Sequence, residues 1–452
     1  MRPEQAGLPP KGGRWQRATA RFRNNASIWG LLEYGIGPLL AVVSTPLLFR
    51  QLGSVGFGQY AMVMALAGFG NAANIGAAVT ATKLVSEKRH EEDGAYRGAA
   101  ISAALIAIAL AFVTVVAVIG IGITLAMGDS LTFGGIKVST LAVPALAMYL
   151  CQQLDQLFTG CLKGREDFQT TAICETLGKT ATLAAACATA ALTHSAAWAS
   201  TAQALGLLLT AMLKMNLFAR TSGRQIVWPK SDRKEMSSAF RFGGWSWFNS
   251  LSALAYGSVD RVLVGAFLGP TILAIYTVGA QVGQIIHTVT VALFQKAMPM
   301  VSRMTTAAKG DMRAAAQTIR KLLVTNLMLS AVMTAVVMVF SHLILRLMLS
   351  ADLAEAHLPL FQLLVVASGL LSLNVASHFS LLGLGNSKAV ALLNGGAGLV
   401  SLLALWLLVG PLGESAAAWA RILYSAVTLG GVWLVLRYLH GSIVASRPAT
   451  AG

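Results

Sequence analysis

The chain has 452 residues and a formal net charge of +16, yet only 12% of it is charged and 56% is hydrophobic, with a mean hydropathy of +0.66. A soluble domain runs near a quarter charged, so the composition excludes a soluble multidomain protein and points to one polytopic membrane bundle. The cysteines Cys151, Cys161, Cys174 and Cys187 form no CxxC pair and the histidines are scattered, which argues against a disulfide framework or zinc site and favours reading the thiols as small hydrophobes.

Residues 1–26 form a polar tail whose basic set is Arg2, Lys11, Arg14, Arg17, Arg21 and Arg23. The first apolar run continues past the length of a signal-peptide core without a small-residue cleavage site, which predicts a retained start-transfer helix. Runs long enough to cross a bilayer then fall at twelve places: 27–50, 56–80, 99–127, 138–162, 170–193, 195–218, 243–268, 271–299, 319–349, 358–384, 388–410 and 414–438. With the N-terminus inside, 27 of the 34 Lys and Arg residues fall on inner segments and three (Arg50, Lys137, Arg346) on outer ones. The positive-inside rule therefore predicts both termini in the cytoplasm. It also assigns the +16 charge to loops facing anionic lipid rather than to nucleic acid.

The chain repeats itself. "LGSVGFGQY" at 52–60 aligns with "LGPTILAIY" at 268–276, an offset of 216, and "AAWA" at 196–199 recurs at 417–420, an offset of 221. The ordered matches predict a duplication of six spans: a six-helix lobe at 27–218, a basic linker at 219–242, a second lobe at 243–440 and a tail at 441–452. An even number of spans inserts both lobes the same way up, so their pseudo-twofold axis lies along the membrane normal with a central cleft between them.

Polar residues inside the spans mark candidate sites, because lipid penalises them. Glu33 lies near the inner end of the first span, and Asn71 and Asn74 share a face of the second. The fourth span carries Gln152, Gln153, Asp155 and Gln156. That is too much polarity for packing alone, and it predicts a cavity wall, with Asp155 in the outer half of its span. Glu175 and Lys179, at i, i+4, predict a self-satisfied pair. In the seventh span "SVDRVLVG" sets Asp260 beside Arg261, and the twelfth carries Arg421. Neighbours on a helix diverge by about 100°, so Asp260 and Arg261 do not face one another. The favoured reading lines a hydrated cleft with them; the alternative is an interhelical bridge. No Walker loop, HExxH or GxSxG is present, so the motifs offer no catalytic chemistry and no cofactor.

Three stretches together, "GIGPLLAVVSTPLLFRQLGSVGFGQYAMVMALAGFGNAANIG", "SVDRVLVGAFLGPTILAIYTVGAQV" and "FQKAMPMVSRM", resemble the polysaccharide (Wzx-type O-antigen and exopolysaccharide) flippases of the multidrug/oligosaccharidyl-lipid/polysaccharide exporter superfamily. The resemblance runs through nearly the whole chain. It implies an all-α, two-lobed fold with a cationic central cavity in the bacterial inner membrane. It further implies alternating access, coupled to H+ or Na+, that moves an undecaprenyl-diphosphate-linked oligosaccharide, alongside membrane lipids and other polysaccharide-assembly proteins. Arg261 falls on the family's motif, whereas Arg421 follows "GESAAAWA" with Ser415 where the family more often has Gly. The expected substrate-binding set is Arg261, Asp260, Asp155, Gln152, Gln156, Asn71, Asn74 and Arg421. An ion-coupled multidrug or organic-cation antiporter of the same superfamily is the alternative, and a polytopic polymerase a more distant one.

Overall fold

The computed structural model describes residues 26–69, 77–88, 91, 93–126, 132–221, 223–224, 226–230, 236–237, 255–306 and 312–445. Asn71 and Asn74 lie outside the described residues, and Glu33 is described by its backbone alone.

The protein is an all-α, multi-pass membrane bundle of two six-helix lobes. The N-lobe comprises α1 (Ala26–Phe69), α2 (Ala77–Glu87), α3 (Gly94–Ala126), α4 (Val138–Gly164), α5 (Phe168–Thr193) and α6 (Ala196–Arg220). The C-lobe opens with a π-helical turn at Ala255–Val259. It continues as α7 (Asp260–Phe294), α8 (Ala297–Thr306), α9 (Met312–Val339), α10 (Ser341–Met348), α11 (Ala351–Ala356), α12 (Leu358–Leu373), α13 (Val375–Gly383), α14 (Ser387–Leu412), α15 (Ser415–Thr428) and α16 (Gly430–Ala445). Three of the extra pieces come from breaks within spans: the ninth divides at Phe340, the tenth at Asn374 and the twelfth at Leu429. The sequence also gave no sign of the two-stranded hairpin Thr132–Phe133/Ile136–Lys137 between α3 and α4.

Among the described residues eight helical segments are long and apolar enough to cross a membrane. Two of the eight, Gly35–Gly68 and Gly257–Phe294, each hold two predicted spans joined at a glycine. Helices α4 and α5, which carry the buried carboxylates Asp155 and Glu175, fall outside the eight.

The joining glycines show the duplication most directly. Gly53 (φ 70°, ψ −179°) and Gly269 (φ 83°, ψ 177°) are non-helical points inside otherwise continuous helices, and they stand 216 residues apart. That backbone region is essentially closed to residues with a Cβ. At the second corner Pro270 restarts the helix, where its fixed φ and missing N–H are tolerated. At the opposite end of each lobe an Asx side chain caps the fifth span: Asp167 accepts from the Thr170 N–H (3.1 Å) and Asn386 from the Ala389 N–H (3.4 Å).

One end of the bundle carries the corners, the hairpin and the short connectors; the other carries the basic connectors. At the hairpin end a single apolar core crosses both lobes, joining Leu48, Phe57 and Tyr60 to Leu273, Ile275, Tyr276 and Phe361. The corners touch so closely that a Cβ on Gly58 would lie 1.9 Å from the Pro270 carbonyl oxygen. The Thr45 hydroxyl donates to Gln281 Oε1 across the lobes (2.6 Å). At the basic end the core splits. One cluster (Val85, Ala99, Phe158, Phe218) belongs to the N-lobe and another (Val301, Ile319, Leu381, Val435) to the C-lobe. Among the described residues the lobes are thus joined at the hairpin end and parted at the basic end.

Candidate functional site

Within the N-lobe a cavity of about 680 Å³ is lined by Gln152, Asp155 and Gln156 of α4, Glu175 and Lys179 of α5, and Gln203 of α6, with Met64, Gly68 and Leu207 among its apolar wall. This volume falls inside the usual ligand-pocket range of roughly 300–1,000 Å³. Three of the residues expected to bind substrate, Gln152, Asp155 and Gln156, meet here. Gln153, between them in sequence, points elsewhere and is buried. Asp155 lies closer to Gly164 than to Val138, so it sits in the basic half of its span and not in the expected outer half.

Behind the wall stands Lys214, fully buried. Its ammonium donates to Asp155 Oδ1 (2.6 Å), Glu175 Oε1 (2.5 Å) and Thr159 Oγ1 (3.0 Å). Lys179 completes the set on the other oxygen, Oε2, of Glu175 (2.8 Å), as the i, i+4 spacing predicted. Two carboxylates thus meet two ammonium groups, and the cluster is neutral overall. An isolated charge in low dielectric neutralises or draws a partner; here every ion has one. Lys214 is the member that sequence reasoning overlooked. The signal was a single lysine in the middle of the apolar sixth span, at a depth where only a buried partner stabilises it.

Asp260 and Arg421 correct the cleft reading. Asp260 Oδ2 receives Arg421 Nη2 at 2.7 Å and Nε at 3.1 Å, and the Tyr276 hydroxyl donates to the same oxygen at 2.5 Å. Asp260 and Arg421 are 4% and 3% exposed, which leaves no room for a ligand between them. The guanidinium also lies 4.9 Å from the Tyr276 ring centre. This is the interhelical bridge, tying the seventh span to the twelfth. Its partner was invisible in sequence because 161 residues separate the two ions. The other oxygen of Asp260 caps the backbone N–H of Arg261 (2.7 Å). The Arg261 side chain is half-buried and is not among the residues lining the N-lobe cavity.

The two corner tyrosines differ in a telling way. Tyr60, the counterpart of Tyr276 at the 216 offset, donates its hydroxyl to Gln203 Oε1 on the sixth span, a neutral version of the same tie. The residue matching Asp260 is Ser44. At the 221 offset the N-lobe ions Asp155, Glu175 and Lys214 correspond to Ala376, Gly396 and Val435. Charge therefore occupies the cavity in one lobe and the corner in the other.

A smaller cavity of about 340 Å³ lies in the C-lobe, where Gln284, His287, Asn374, His378, Asn394 and Tyr424 contribute its polar lining. The fold brings together two histidines that looked unrelated in sequence.

Two lobes joined at one end, the first enclosing a polar cavity lined by its own helices, define a two-lobed, multi-pass helical membrane protein. Within that class the chain belongs to the family described as "Polysaccharide biosynthesis protein", whose model matches residues 25–305. It is 23% identical over 425 residues to a Shigella flexneri protein described as "Putative O-antigen transporter", across 91% of this chain and 97% of that one. Its fold is similar to an inward-facing multidrug resistance MATE family transporter (TM-score 0.66, 15% identity, 94% of this chain and 96% of that chain). A MOP superfamily transporter from Pyrococcus furiosus, described for the reversed polarity of its binding pocket, aligns with a TM-score of 0.58 at 15% identity, over 95% of this chain and 98% of that one.

Proposed function

We propose that the chain is a flippase. It carries an undecaprenyl-diphosphate-linked oligosaccharide across the bacterial inner membrane for surface polysaccharide synthesis, by alternating access between the lobes. The observation that supports this most is the N-lobe cavity, polar and internally neutralised within a membrane-spanning bundle. The amides of Gln152, Gln156 and Gln203 suit hydroxyl groups, and Lys163 and Lys179 on the wall suit acidic sugars or phosphate. The basic connectors at the parted end face the cytoplasm by the positive-inside rule, so the cleft meets the leaflet where such lipids are loaded. A parted seam lets the prenyl tail remain in the bilayer. An H+ or Na+ gradient drives the cycle, since the sequence holds no nucleotide-binding motif, and other polysaccharide-assembly proteins supply and receive the cargo.

The organic-cation antiporter reading fits less well. Such a site wants uncompensated carboxylates, and both carboxylates here are held by lysines.

Arg261 tests the substrate class. A diphosphate crossing a low-dielectric slab needs a cationic host, and guanidinium offers a bidentate fork. In a strain lacking its own flippase, Arg261→Ala should abolish surface polysaccharide and accumulate the lipid-linked precursor, at near-normal protein level. Arg261→Lys should restore part of the export. Normal export by Arg261→Ala at normal abundance would remove Arg261 from the pathway.

A further inference from the structure

We propose that the C-lobe cavity is a second binding site, one that takes an uncharged, hydroxyl-rich group, the sugar rings of the cargo. This rests on the transport reading above and assigns the two lobes different parts of one ligand.

The lining chemistry selects the class. Gln284, Asn374 and Asn394 are amides, His287 and His378 imidazoles and Tyr424 a phenol, so each side chain both donates and accepts. No Asp, Glu, Lys or Arg is among the described lining residues. An ion placed there would find no opposite charge, and an apolar group would leave unused the hydrogen-bonding capacity that remains beyond the Gln284–Thr288 and Ser377–Asn374 bonds. A polyol satisfies them. Phe379, edge-on to His378 with ring centres 5.3 Å apart, adds an apolar surface for the C–H face of a pyranose. The volume of about 340 Å³ stands at the small end of the ligand-pocket range.

A second observation concerns a side chain of the same wall. His287 Nδ1 is buried without a hydrogen-bond partner among the described residues. A buried polar atom left unpaired is destabilising and is uncommon in folded proteins, and this one belongs to a side chain lining the cavity.

The duplication gives a third. Tyr424 matches Gln203 at the 221 offset and Gln284 matches Gly68 at the 216 offset, and both members of each pair line the cavity of their own lobe. The two cavities therefore share two duplicated positions, and the N-lobe cavity carries ions where the C-lobe cavity carries neutral hydrogen-bonding groups.

The experiment uses the full chain in a flippase-deleted strain, with the host's own lipid-linked oligosaccharide as the probe. Restored export by the wild-type chain establishes the transport reading separately from this site. His287→Leu and Asn394→Leu should then cut export about tenfold or more at unchanged membrane abundance, while His287→Gln, which keeps donor and acceptor, should retain most of it. Purified His287→Leu should melt at or above the wild-type temperature, because an unpaired buried polar atom has been removed. Wild-type export by both Leu variants would overturn the site. So would export that falls only in step with abundance or melting temperature, which would make His287 structural. An inert wild-type chain would overturn the transport reading and this site with it.

Discussion

At the scale of single residues, Lys214 has the largest predicted effect. It is fully buried and holds Asp155 and Glu175 at 2.6 Å and 2.5 Å. Lys214→Met would keep the side-chain volume but strand Asp155 and leave Glu175 with Lys179 alone, a change that costs about 3–5 kcal/mol when one partner of a buried pair is removed. The amount of protein in the membrane should fall sharply, and adding Asp155→Asn together with Glu175→Gln should recover it. Unchanged abundance of the single variant would mean that the cluster does not hold the lobe together. The sequence made Asp155, Glu175 and Lys179 visible because charge inside an apolar run is anomalous on its own. It left the pairing open, because Lys214 sits on a different helix and contact between helices is not encoded in local spacing. The same limit applied to Asp260: its depth marked it as needing a partner, and only the fold could supply Arg421.

At the scale of elements, the corner glycines control how each lobe begins. Both Gly53 and Gly269 hold positive φ with ψ near 180°, so an added Cβ is strained by about 1–3 kcal/mol at either position. Gly53→Ala and Gly269→Ala should each lower the thermal midpoint of the purified protein. Gly58→Ala should lower it further, because its Cβ would collide with the Pro270 backbone across the lobe interface. A Gly58→Ala midpoint equal to that of wild type would contradict the packing of the two corners. These corners were the most legible part of the fold: the repeated Leu-Gly…Tyr segments fixed their equivalence before any geometry was known. The hairpin at 132–137 and the breaks at Phe340, Asn374 and Leu429 were not legible. Apolar composition continues through each break, and hydropathy reports membrane depth rather than backbone continuity.

At the scale of the whole molecule, the two lobes share one apolar core at the hairpin end and keep separate cores at the basic end. The proposed alternating access predicts that this arrangement reverses, with the hairpin-end contacts breaking in each cycle. Thr45 and Gln281 mark the place, with their side chains 2.6 Å apart across the lobe boundary. Cysteines at these two positions, in a background without the four native ones, can be joined by a short bifunctional thiol reagent. The measurement that bears most directly on the flippase account is export of lipid-linked oligosaccharide before and after joining, in a strain that depends on this chain. Cross-linking should stop export and accumulate precursor in the inner leaflet, while either single cysteine treated the same way should export normally. Unimpaired export by the fully cross-linked protein would contradict alternating access between the lobes.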